Sequence, residues 1–154
     1  MRALRSFALL AVVVLAAACD DDVTGPRLPT DVTFDPSLNV NLAAMTEVFD
    51  GLYIQTLTAG EGGAVETGDR VVVDYTLWLP DGSLIDSGAD VAFTLAVGAV
   101  IDGFRLGMEG MGIGETRLIV VPSALGYGAA GNQGIPPHSV LVFRVTLDAL
   151  NPPT

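Results

Sequence analysis

The chain has 154 residues and is acidic, with 7 basic against 18 acidic side chains and a net charge of −11 at neutral pH. Such a charge repels polyanions, so nucleic acid is excluded as a partner, and anionic lipid head groups are no source of attraction. Cys19 is the only cysteine, which excludes an intrachain disulfide.

Residues 1–18 read as a signal peptide. Arg2 and Arg5 form a short positive region, and Phe7 to Ala18 is apolar. That run is about 12 residues, too short for the roughly 20 a membrane-spanning helix needs. Leu15-Ala16-Ala17-Ala18-Cys19 resembles a bacterial lipobox, with leucine one place earlier than usual. On that reading Cys19 becomes the lipidated first residue of a protein anchored on the periplasmic side of a membrane. The alternative is an ordinary signal-peptidase site at Ala16-x-Ala18. Both cut before Cys19. Asp20-Asp21-Asp22 follows, and in enteric bacteria an aspartate just after the lipid cysteine resembles an inner-membrane retention signal.

Residues 19–50 are expected to be a lipid-anchored linker and 51–152 the folded domain. Gly25-Pro26, Pro29 and Pro36 interrupt residues 20–44, which show no sustained periodicity. Val40 to Phe49 fits either a short strand or one or two helical turns. Gly51 to Thr58 reads as a strand, and the glycine-rich Ala59 to Asp69 as a loop. Arg70 to Leu79, rich in valine with tyrosine and tryptophan, is the strongest strand. Pro80-Asp81-Gly82-Ser83 is a turn. Leu84 to Ser87 continues past it, and Val91 to Val97 alternates as a further strand.

Val100 to Met108 changes period: Ile101, Phe104 and Met108 recur at helical spacing. Glu115 to Val121 and Val140 to Leu150 are the last strands, the latter with Leu141, Phe143, Val145 and Leu147 on one face. The expected class is α+β, a twisted antiparallel sheet whose apolar face is covered by the one short helix. About 100 residues suffice for one core. No repeat and no dimerisation segment is visible, so a monomer is expected.

Five segments carry a resemblance. They are Val71-Val72-Val73-Asp74-Tyr75-Thr76, Asp81-Gly82-Ser83-Leu84-Ile85-Asp86-Ser87, Val97-Gly98-Ala99-Val100-Ile101-Asp102-Gly103-Phe104 and Gly110-Met111-Gly112-Ile113-Gly114-Glu115. The fifth joins Ala124-Leu125-Gly126-Tyr127-Gly128, Gly134-Ile135-Pro136-Pro137-His138 and Leu141-Val142-Phe143. In that order and spacing they resemble the FKBP family of peptidyl-prolyl cis/trans isomerases, over about Leu52 to Leu150.

The resemblance implies a curved antiparallel sheet, a half barrel, wrapped around a short helix with a ligand pocket between them. It implies pocket walls of Tyr75, Phe93, Val100, Ile101, Phe104, Tyr127 and Phe143, with Ile135 in a loop at the mouth. Asp86 and the Tyr127 hydroxyl would be the polar groups, and the Ile101 N–H a further donor. It implies isomerase (rotamase) activity on proline-containing polypeptides, in the folding of exported proteins, with no cofactor and no metal. Ile85 stands where the family usually has phenylalanine against the proline ring, Phe104 where it has tryptophan, and Leu77 where glycine is usual. From spacing alone these aromatics read as core before pocket, since buried phenylalanines usually are core. A non-catalytic proline-peptide binding module is the competing function. A holding chaperone is disfavoured because no apolar flap is inserted between Asp86 and Phe93 or between Tyr127 and Ile135. His138, the only histidine, has no cysteine or acidic cluster beside it, and no serine–histidine–aspartate set can be assembled around it.

Overall fold

The computed structural model describes residues 25–151. The signal segment and Cys19 lie outside the described residues. Six antiparallel strands form one open sheet: β1 (Thr46–Phe49), β2 (Leu52–Thr58), β3 (Arg70–Trp78), β4 (Leu84–Thr94), β5 (Thr116–Val121) and β6 (Leu141–Leu150). Their order across the sheet is β1-β2-β5-β6-β3-β4. One helix, α1 (Asp102–Met108), lies on the concave face.

The two-residue period of the strands sorts their side chains by face. Val71, Val73 and Leu77 of β3, Phe143, Val145 and Leu147 of β6, and Ile119 and Val121 of β5 point inward. They meet Phe104 and Met108, which project from one side of α1. Full burial of such a side chain is worth about 1.5–3 kcal/mol. The helix lies close because Gly103 and Gly107 face β5. A Cβ on Gly103 would come within 2.2 Å of a Val121 methyl, and one on Gly107 within 2.5 Å of Ile119.

A buried ion pair fixes the far end of the helix. The Arg117 guanidinium bonds Glu115 at 2.8 Å through both Nε and a terminal nitrogen. It also donates to the carbonyls of Gly107 at 2.8 Å and Glu109 at 2.9 Å, at the end of α1. Glu115 accepts in addition from the Thr56 hydroxyl and the Gly112 N–H. Burial pushes the Glu115 carboxyl up, but these hydrogen bonds and the Arg117 charge outweigh it and hold the group below the usual range.

Two expectations are corrected. Leu84–Ser87 and Val91–Val97 are not separate strands. They are one strand, β4, which ends at Thr94, and Val97 beyond it is 74% exposed. Two register shifts along β4 explain the misreading. Leu77 faces Asp86 while Trp78 faces Leu84, leaving Ile85 as an extra residue. Val73 faces Val91 while Tyr75 faces Gly88, leaving Ala89 and Asp90 against Asp74. Asp90 takes the left-handed φ of +54° there, and its N–H donates to the Asp74 carboxylate at 2.8 Å.

The second correction concerns the expected linker. Pro29–Asp31, Pro36–Leu38 and Leu42–Ala44 form 3-10 turns. Val32, Phe34, Leu38, Val40, Leu42 and Met45 pack on the outer face of the sheet against Tyr53, Trp78, Leu118, Val120 and Val142. The open reading of Val40 to Phe49 resolves into one such turn followed by β1, which pairs with β2. The sheet therefore has two covered faces, and the helix covers only one.

Candidate active site

The inner face of the sheet is not filled to its rim. Between α1 and the strands lies a cavity of about 250 Å³, lined by Tyr75, Leu77, Asp86, Val91, Phe93, Ala99, Val100, Ile101, Phe104, Tyr127 and Phe143. Its volume falls just below the ~300–1,000 Å³ of most small-molecule sites.

Each element contributes by its own geometry. β3 sends Tyr75 and Leu77 inward at a spacing of two. β4 sends Val91 and Phe93 the same way, and the extra Ile85 re-aims Asp86, as bulges beside functional sites often do. Ile101 precedes α1 in an extended conformation, and its carbonyl accepts from Phe104 and Arg105 to start the helix. Tyr127 follows the 3-10 turn Ser123–Leu125.

Phe104 is the centre of the aromatic wall and is itself 6% exposed. Its ring lies 5.0 Å from Phe143, 6.1 Å from Phe93 and 6.4 Å from Tyr75, centroid to centroid. All three pairs are tilted or edge-on, the arrangement favoured by aromatic quadrupoles. The alternatives of core and pocket therefore do not compete for Phe104 and Phe143: each belongs to the inner core and to the cavity wall.

The polar part of the wall differs from the expectation in one respect. The hydroxyl that reaches Asp86 belongs to Tyr75, which donates to Oδ2 at 2.7 Å. The Ser87 N–H donates to Oδ1 at 2.8 Å. This bond to a carboxylate, then burial, pushes the Tyr75 phenol up to about 12. Tyr75 was expected as an apolar wall, and the structure makes it the holder of Asp86 as well.

Of the expected residues, Asp86, Tyr127, Tyr75, Phe93, Val100, Ile101, Phe104 and Phe143 meet at the cavity. Ile85 and Ile135 do not line it. Ile85 is half-buried against the inner core, and Ile135 is a core residue, 5% exposed. Leu77, Val91 and Ala99 were missed. The first two were open to inference, since each sits two residues from an expected wall residue on the same strand face.

His138 stands apart from the cavity wall, in the left-handed region with φ +57°. Among the described residues, the exposed Asp74, Asp90 and Asp148 bring their carboxylates within 4.8 Å of one another, outside the cavity wall.

A curved antiparallel sheet on one short helix, with a small aromatic cavity and a fixed carboxylate at its wall, defines a small α+β domain with one candidate site on its inner face. The comparisons give the family. The model of the FKBP-type peptidyl-prolyl cis-trans isomerases matches residues 61–148, which include every cavity residue, and the chain belongs to that enzyme family. An FK506-binding protein of Neisseria meningitidis serogroup B is 43% identical over 102 residues, 63% of this chain and 94% of the relative. The crystal structure of a peptidyl-prolyl cis-trans isomerase from Pseudomonas syringae superposes with a TM-score of 0.67 at 31% identity, over 76% of this chain and 90% of that one. FkpA from Escherichia coli superposes with a TM-score of 0.66 at 38% identity, over 70% of this chain. This chain spans 52% of FkpA and 26% of the FK506-binding protein 4 of Neurospora crassa.

Proposed function

We propose that this chain turns X–Pro peptide bonds of exported polypeptides between cis and trans by seating the proline in the cavity. The observation that carries the reading is the juxtaposition of an aromatic cavity with a carboxylate fixed from two sides.

Rotation about the X–Pro bond must break amide resonance, against a barrier of about 18–20 kcal/mol. Uncatalysed, it takes tens to hundreds of seconds. No covalent bond changes partners, so no nucleophile or general base is required. Catalysis requires an environment that fits the twisted amide better than either planar form. The wall of Phe104, Phe143, Phe93 and Val100 strips water from the amide and holds the ring. Desolvation favours the twisted state, whose carbonyl is less polar. Tyr75 donates to Asp86, and the Tyr127 phenol, on the same cavity wall, donates to a substrate backbone carbonyl. The Ile101 N–H is a second donor. Asp86 faces the rotating carbonyl group as a fixed negative charge, oriented by Tyr75 and Ser87.

Phe104, standing where the family usually has tryptophan, keeps the pocket apolar but alters its shape, and it sets the preference for the residue before proline. A peptide series varied at that residue tests this. A preference unchanged in Phe104→Trp counts against it.

Residues 1–18 direct export and Cys19 carries the lipid, which places the monomeric domain at a membrane on the periplasmic side. Lipid chains add about 0.8 kcal/mol per buried methylene, and more than one chain gives stable anchoring. Detergent phase partitioning after expression in a lipoprotein-processing bacterium tests this. The wild-type chain is expected in the detergent phase and Cys19→Ser in the aqueous phase. Recovery of both in the aqueous phase would refute lipidation.

A further inference from the structure

We propose that residues 27–38 are a strap that sets the positions of the two loops that lead to the polar groups of the site. This rests on the reading that Asp86 and Tyr127 orient substrate.

The strap fastens at two points. At the first, the Arg27 N–H donates to Ser123 Oγ at 2.8 Å, and the Ser123 N–H donates back to the Arg27 carbonyl at 3.0 Å. Ser123 is fully buried and opens the 3-10 turn that runs directly into Tyr127. The carbonyl of Ser123 accepts from the Gly126 N–H at 3.1 Å, next to Tyr127. At the second point, the Asp35 N–H donates to the Pro80 carbonyl at 2.7 Å. Pro80 begins the turn that Leu79 and Ser83 close at 2.9 Å, and that turn feeds β4 two residues before Asp86. The turn and the strap are in close contact. A Cβ on Gly82, which has φ +86°, would lie 3.2 Å from the Asp35 side chain.

Between the two fastenings, Val32 and Phe34 pack in the outer cluster, as does Leu38, 6% exposed, at the strap's end. Covering the outer face needs only those apolar contacts. The hydrogen bonds do something else. They land on the two loops that lead to Asp86 and Tyr127, from a segment that contributes no residue to the cavity. Residues 27–38 are thus positioning residues, acting on the site through the loops they hold.

Point variants of the full-length chain separate positioning from cover. Asp35 has φ −59°, already in the range proline imposes, so Asp35→Pro needs no change of φ; its ring carbon takes the place of the N–H, which breaks the bond to Pro80 and pushes that carbonyl away. Asp35→Ala keeps that N–H and loses only the side-chain cap on Ser37. Ser123→Ala removes the acceptor of the Arg27 N–H. Assayed where circular dichroism shows every variant folded, Asp35→Pro and Ser123→Ala are expected to lose about tenfold in kcat with KM little changed, as misplaced orienting groups do. Asp35→Ala is expected to retain its rate.

Nuclear magnetic resonance supplies a readout independent of turnover: the ring signals of Tyr127 for Ser123→Ala, and the amide signal and hydrogen exchange of Ser87 for Asp35→Pro. Shifts in these signals, absent in Asp35→Ala, are expected. Unchanged signals in the two folded variants would overturn the strap, whatever the rates. If the wild-type chain shows no isomerase activity, it is the proposed function that fails, and the resonance measurement still decides the strap.

Discussion

Tyr75 and Tyr127 share one cavity and differ in what their hydroxyls do. Tyr75 holds Asp86 at 2.7 Å, and Tyr127 lines the same cavity without sharing that bond. Tyr75→Phe takes one of two donors from the carboxylate. A loss of about 1 kcal/mol in transition-state stabilisation is expected, roughly fivefold in kcat/KM. Tyr127→Phe should weaken turnover as well, and Asp86→Ala more than either. The tie between Tyr75 and Asp86 is also open to spectroscopy. Ultraviolet titration should place Tyr75 near 12 in the wild type and return it toward its ordinary value in Asp86→Ala. An unmoved Tyr75 titration would refute the bond. Seven of the eight expected residues that meet at the cavity lie in the motifs themselves, whose order β3, β4, α1 and the Tyr127 loop follow, and Phe93 lies on the alternating stretch between two of them. Ile85 and Ile135 could not be placed by that route. A bulge turns Ile85 out of the cavity wall, and the loop folds Ile135 into the core.

The elements were legible where one period ran unbroken. β3, β6 and α1 announce themselves by alternation or by helical spacing. β4 was cut in two because its bulges reset the alternation. The strap was missed because Pro29 and Pro36 break it and aspartates surround it. A signal was nevertheless present: Val32, Phe34, Leu38, Val40 and Leu42 all fall on one parity, and the five pack together. The helix contact offers a test. Gly103→Ala forces a methyl into Val121 and toward the Leu125 carbonyl at 3.1 Å. Overpacking of this kind costs about 1–3 kcal/mol, and denaturant midpoints should show it. A second test concerns the end of α1. Arg117→Met leaves Glu115 buried without its partner, expected to cost about 3–5 kcal/mol at neutral pH. The sign with pH follows from the lowered Glu115 carboxyl. Its stabilising contribution is full above its unfolded value and is lost as pH falls through the lower folded value. Urea unfolding of the wild type and Arg117→Met should therefore converge toward low pH.

At the scale of the whole molecule, charge works against stability at one place. Asp74, Asp90 and Asp148 crowd on an exposed patch, and burial, then Asp74 and Asp90, push the Asp148 carboxyl up. A raised carboxyl in the folded state opposes folding once it ionises, and the penalty disappears as pH falls through the raised value. Asp148→Asn should raise the melting temperature at neutral pH, with a smaller gain in high salt and none in acid. The sheet curves around α1, the buried ion pair ties the helix end, and the strap braces the loops on either side. The most direct measurement is a protease-coupled assay of a proline peptide with the purified domain. Faster cis-to-trans conversion than the spontaneous rate is expected, strongly reduced by Asp86→Ala in a protein that still folds. A wild-type domain that binds the peptide yet leaves the spontaneous rate unchanged would contradict it, and would make the cavity a site that grips proline without turning it.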